Sequence, residues 1–69
     1  MSIKIGDNIA YYRKQKGLTQ EELGVLLNIS GQAVSKWENG GVPDISLLPE
    51  IAKIFDVSID YLFGCKKKI

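Results

Sequence analysis

The sequence contains no histidine and a single cysteine, Cys65. Without histidine it lacks the commonest general base and the commonest metal ligand. One cysteine can form no internal disulfide and cannot build a zinc cluster. Cys65 follows the last predicted helix, and no base is placed to activate its thiol. The acidic residues are scattered over polar faces or helix starts, so no isolated carboxylate pair offers acid–base chemistry. No glycine-rich phosphate loop follows a strand. These absences argue against an enzyme, and no cofactor, metal or small-molecule substrate is expected. No apolar run approaches the length of a membrane span, and the N-terminus has no signal-peptide core. Together with the lone cysteine, this predicts a cytoplasmic protein with no membrane partner.

An excess of charge of either sign is also lacking. The net charge is +1, so the total gives no support to a nucleic-acid partner. The distribution says more. Residues 1–16 carry Lys4, Arg13, Lys14 and Lys16 against Asp7, and the tail adds Lys66, Lys67 and Lys68. Between them, residues 39–65 carry Lys53 against Asp44, Glu50, Asp56 and Asp60. The composition is that of a folded globular chain, with 45% hydrophobic and 25% charged residues. Sixty-nine residues are expected to form one domain, with a core at 5–63 and a basic tail at 64–69, and a core of that size is only just sufficient.

Helical patterning is abundant. Ile5, Ile9 and Tyr12 recur at helical spacing in a first segment that runs from about Ile5 to Lys16 and is closed by Gly17. Thr19 and Glu22 form a capping box for a second segment, Gln20 to Leu27, with Leu18 stapled to Leu23. Leu23, Leu26 and Leu27 are expected to face inward. Gly24, inside that helix, costs roughly 1 kcal/mol relative to alanine, which suggests close approach of the next helix. Asn28 tolerates the left-handed backbone of a sharp turn. Ser30 then caps a third segment, Gly31 to Glu38, which Asn39-Gly40 ends. Pro49 fits only the first turn of a helix, so a fourth segment is expected from Leu47 to about Phe55, capped near Ser46. Ser58, Val57 with Leu62, and Gly64 outline a short fifth helix. The expectation is an all-α, compact five-helix domain.

Val34 and Trp37 share one face of the third segment and should anchor it inward. That leaves Gly31, Gln32, Ser35 and Lys36 outward. A short helix buttressed from behind suits the DNA major groove, which is about 12 Å wide and admits one helix. Gln32 can pair both ways with adenine, and Lys36 can reach guanine O6 and N7 or a phosphate. Ser35 can bond either, whereas Gly31 only lets the backbone come close. Thr19 and Gln20, at the start of the second helix, offer N–H groups and a positive dipole end to phosphates. Asn39 can supply another donor.

The segments IGDNIAYYRKQKGLTQEELG, ISGQAVSKWENG and PDISLLPEIAKIFDVSIDYLFG resemble the Cro/repressor-type (XRE) helix-turn-helix regulators of bacteria and phages over residues 5–63. The resemblance implies a lambda-repressor-like five-helix fold whose helices two and three form the helix-turn-helix. It implies a sequence-specific transcriptional regulator, expected to be a repressor, that binds a palindromic double-stranded DNA operator as a homodimer. It places base reading on Gly31, Gln32, Ser35 and Lys36, and phosphate binding on Gln20 and Asn39. A buried ion pair falls on Arg13 and Glu38, and the dimer interface on Ile59, Tyr61 and Leu62. Two departures weaken the match to a strong binder: Gly31 carries no side chain, and the loop from Gly41 to Asp44 lacks Lys and Arg. A protein-interaction module or an antitoxin with the same fold is the alternative.

Overall fold

The computed structural model describes residues 5–64. Lys4, Cys65 and the basic tail Lys66, Lys67 and Lys68 fall outside the described residues. Five helices follow one another, with no strand among the described residues: α1 (Ile5–Gln15), α2 (Gln20–Leu27), α3 (Gly31–Glu38), α4 (Leu48–Phe55) and α5 (Ile59–Leu62). A 3-10 turn, Ile45–Leu47, leads into α4.

One apolar cluster joins all five helices. Ile5 and Ile9 from α1, Leu23 and Leu27 from α2, and Val34 and Trp37 from α3 meet Leu48, Ile51, Ala52 and Phe55 of α4 and Leu62 of α5. Tyr12 packs at its edge, its ring 5.8 Å from that of Phe55. The backbones of α1 and the end of α3 approach closely at Gly6. A Cβ on Gly6 would stand 1.9 Å from the Trp37 carbonyl oxygen, so only glycine lets these helices meet. At the other end of the cluster, Asn8 Nδ2 donates to the Leu62 carbonyl at 2.9 Å, which ties α5 to α1.

Three expectations are corrected: the inward Leu26, the Ser46 cap and the start of the fourth helix at Leu47. Leu26 does not face inward; it is 57% exposed. Successive helical residues turn by about 100°, and the buried stripe of α2 is Leu23, Gly24 and Leu27, which leaves Leu26 on the flank of the helix, about 100° from the centre of that stripe. Ser46 does not cap α4: its hydroxyl bonds the Asp44 carboxylate, and the 3-10 turn carries the chain into the helix with Leu47 as the N-cap. Helix α4 accordingly begins at Leu48 with Pro49 in its first turn, where a missing N–H leaves no helical bond broken. Ser58 holds the N-cap position of α5 without a side-chain bond to it.

Candidate nucleic-acid interface

The unit α2–turn–α3 is built by local chemistry. Thr19 Oγ1 accepts from the Glu22 N–H at 3.0 Å, and Glu22 Oε1 accepts from the Thr19 N–H at 2.8 Å. Asn28 turns the chain with φ 62° and ψ 39°, the left-handed conformation that asparagine adopts more readily than most residues. The Ile29 N–H then donates back to the Gly24 carbonyl at 2.8 Å. Gly24 lies against this turn: an added Cβ would sit 2.9 Å from the Ile29 oxygen and 3.0 Å from Ser30 backbone atoms. The close approach there comes from the turn leading into α3. Ser30 Oγ accepts from the Ala33 N–H and starts the second helix of the unit.

Val34 and Trp37 are buried, and they fix the rotation of α3 about its axis. Gln32 and Lys36 are exposed, and Ser35 and Gly31 are half-buried beside them. The angle between α3 and the rest is held by Glu38. Arg13 Nε donates to Glu38 Oε2 at 2.7 Å and Arg13 Nη2 to Oε1 at 3.2 Å, while Arg13 Nη1 bonds the Leu18 carbonyl at 2.7 Å. The two side chains are only 12% and 10% exposed. Gln20 Nε2 adds a bond to Glu38 Oε1 at 3.0 Å. Burial alone would push the Glu38 carboxyl up. The hydrogen bonds from Arg13 and Gln20, together with the Arg13 charge, outweigh burial and hold it below its ordinary value.

The expected phosphate-facing groups are partly engaged within the chain. The Thr19 N–H is taken by Glu22, so it offers no free donor, contrary to expectation; its hydroxyl oxygen accepts from Glu22, which leaves the hydroxyl proton to donate. The N–H groups of Gln20 and Glu21 make no hydrogen bond among the described residues and remain available at the positive end of α2. Asn39 Nδ2 donates to the Ser35 carbonyl at 2.8 Å. The same nitrogen also has the Ser35 hydroxyl oxygen as a longer, weaker acceptor at 3.4 Å.

Leu62, assigned above to the dimer interface, is 0% exposed. Leu62 belongs to the core cluster, against which Val57 also packs, and Asn8 ties its carbonyl to α1, so its side chain is not open to a second copy. Ile59 and Tyr61 are exposed on the same helix.

Sequence reasoning passed over Glu21. It lines a cleft of ≈ 490 Å³ together with Gln20, Ser30, Gly31, Gln32 and Ser35. A Cβ on Gly31 would lie 2.8 Å from Glu21 Cγ and 3.1 Å from Glu21 Cα. Gly31 is thus the residue that lets the start of α3 sit against the first turn of α2. The signal was available in the first acidic residue of the pair Glu21-Glu22, which the capping box does not use.

Among the described residues, no group of three or more His, Cys, Asp and Glu side chains could hold a metal, and no helix is long and apolar enough to cross a membrane.

Residues 9–62 match the helix-turn-helix family. The chain is 38% identical over 68 residues to the HTH-type transcriptional activator BcrR of Enterococcus faecalis, covering 97% of this chain and 33% of that protein. It therefore spans about a third of the length of that relative. Among solved structures, a transcriptional regulator from Listeria innocua superposes with a TM-score of 0.85 at 28% identity, covering 100% of this chain and 65% of that one. The P22 c2 repressor, solved in complex with a synthetic operator, superposes with a TM-score of 0.80 at 30% identity over 91% of this chain and 96% of its own. The fold is thus the lambda-repressor-like one, and the chain belongs to the helix-turn-helix family of the Cro/repressor (XRE) type.

Proposed function

We propose that this chain regulates transcription by inserting α3 into the major groove of a palindromic operator, as a homodimer that acts as a repressor. One observation carries it: Val34 and Trp37 are buried while Gln32 and Lys36 are exposed together on the far side of the same two-turn helix. Gln32 and Lys36 read base edges, with Ser35 assisting and Gly31 allowing close approach. Thr19, through its hydroxyl, the first-turn N–H groups of α2, Gln20 and Asn39 hold phosphates. Ile59 and Tyr61 of α5 pair the two copies. A cytoplasmic setting follows from the same proposal. Repression is the sense favoured by the likeness to the P22 c2 repressor, although BcrR is named an activator. Placing the selected operator across a promoter in a reporter strain tests the sense: expression falls for a repressor and rises for an activator.

Selection from a random duplex pool tests the core of the proposal. The expected winner is a palindrome whose half-sites lie about one helical turn, roughly 34 Å, apart. Enrichment of an unpaired half-site would exclude the dimer, and no enrichment at all would exclude sequence-specific binding.

Two substitutions separate reading from gripping. Gln32→Ala should cost roughly 1–3 kcal/mol on the best site and relax the preference at one base pair. Unchanged affinity and an unchanged footprint would remove Gln32 from the reading face. Asn39→Ala should weaken all sequences about equally, as loss of a phosphate contact does. A loss confined to particular sequences would assign Asn39 to a base instead.

A protein-interaction module is favoured by one observation, the scarcity of cations around the face: among the described residues, Lys36 is the only Lys or Arg between 31 and 44. Salt titration on random duplex separates the two. Counterion release makes affinity fall steeply with salt when phosphates are bound. A flat response would favour the module.

A further inference from the structure

The helix-turn-helix unit contains three carboxylates, and two of them are committed. Glu22 closes the capping box, and Glu38 is bonded to Arg13 and Gln20. The Glu21 carboxylate makes no hydrogen bond or ion pair among the described residues. It is not displaced from the reading surface. Its Cα and Cγ lie along the path a Gly31 side chain would take, and it lines the same cleft as Gln32 and Ser35. The position that would carry the first side chain of α3 is therefore filled from α2.

We propose that Glu21 is a specificity-determining residue that accepts a hydrogen bond from the N4 amino group of a cytosine, at a position next to the pair read by Gln32. The proposal rests on the DNA-binding function stated above. In the major groove the base amino donors are cytosine N4 and adenine N6; the adenine amino group lies beside the N7 acceptor, which repels a carboxylate, so cytosine is the favoured partner, and guanine and thymine present acceptors. Phosphates repel it too. A negative side chain on this surface therefore weakens binding to arbitrary sequence and favours those sites that offer a donor in the right place. This gives the carboxylate a chemical use and explains why a glycine at the start of α3 need not leave the position unread.

The experiment is the random-duplex selection run in parallel on the unaltered chain, Glu21→Ala and Glu21→Gln, with affinity for random duplex and melting temperature measured on each. For the unaltered chain, one half-site position is expected to be fixed as cytosine. Glu21→Ala should lose about tenfold discrimination at that position alone, and Glu21→Gln should move its preference to adenine. Both variants should bind random duplex more tightly than the unaltered chain. Identical selected sequences from all three proteins would overturn the proposal while leaving the DNA-binding function intact. A change in melting temperature without a change in selected sequence would make Glu21 a partner of the helix dipole only, and would also overturn it. If the folded, unaltered chain selects nothing, the DNA-binding function itself fails and this inference falls with it.

Discussion

Replacing Glu38 by alanine is expected to lower the unfolding free energy by about 3–5 kcal/mol, measured by chemical denaturation. A chain of 69 residues holds only roughly 3–10 kcal/mol in total, so the variant should be largely unfolded near room temperature or close to it. The size follows from what remains behind. Arg13 would keep its charge at a position that is 12% exposed, with one carbonyl in place of two carboxylate oxygens, and Gln20 would lose its acceptor. The loss measures that uncompensated charge more than the worth of the pair itself. Replacing both Arg13 and Glu38 by methionine should therefore recover much of the stability. A single-variant loss below about 1 kcal/mol would mean the pair behaves as an exposed surface bridge does.

The same carboxylate predicts a pH signature. Its folded-state pKa lies below the ordinary 4.5, so protons bind it more readily in the unfolded chain. Its contribution is complete above pH 4.5 and is lost as pH falls through the lower folded value. Glu38→Gln keeps the shape and removes the titration. The stability gap between the unaltered chain and this variant should be widest at neutral pH and close on the acid side. A gap independent of pH would show that ionisation at Glu38 contributes nothing.

Gly6→Ala is expected to be nearly as damaging, for an unrelated reason. Gly6 is the second residue of α1, where helix propensity alone favours alanine over glycine by up to about 1 kcal/mol. The added methyl would stand 1.9 Å from the Trp37 carbonyl oxygen and 2.9 Å from its carbon, both backbone atoms that cannot rotate away. Helix α1 must then move off α3, at a cost of about 3 kcal/mol once Ile5, Ile9 and the Arg13 bridge are displaced with it. For a domain of this size that corresponds to a fall in melting temperature of roughly 12–24 °C. A neutral or raised melting temperature would mean that the two helices are not in backbone contact.

What could be read from the residues is what local chemistry decides. Thr19 with Glu22, Asn28, and Ser30 each act on backbone groups within a few positions, so their roles are written in the order of the chain. Val34 and Trp37 were legible because a two-turn helix with two large apolar residues three apart has one way to turn them. Leu26 misled because α2 carries three leucines on eight residues, and which two are buried depends on where the turn before α3 packs against Gly24. Leu62 was assigned to an interface by likeness, although its staple with Val57 already pointed inward. Gly6 and Glu21 escaped notice because their importance lies in what faces them from forty or fewer residues away along the chain, the Trp37 carbonyl and the missing side chain at 31. No spacing rule encodes such distant meetings.

The bond from Gln20 to Glu38 bears on how tightly a duplex could be held. A glutamine loose in water surrenders rotational freedom when it grips a ligand, and that loss subtracts from affinity. Here the carboxamide is already oriented by the carboxylate 18 positions further on, in the absence of any ligand. A phosphate reaching the mouth of α2 would meet a donor that is preorganised, with most of its entropic toll incurred during folding.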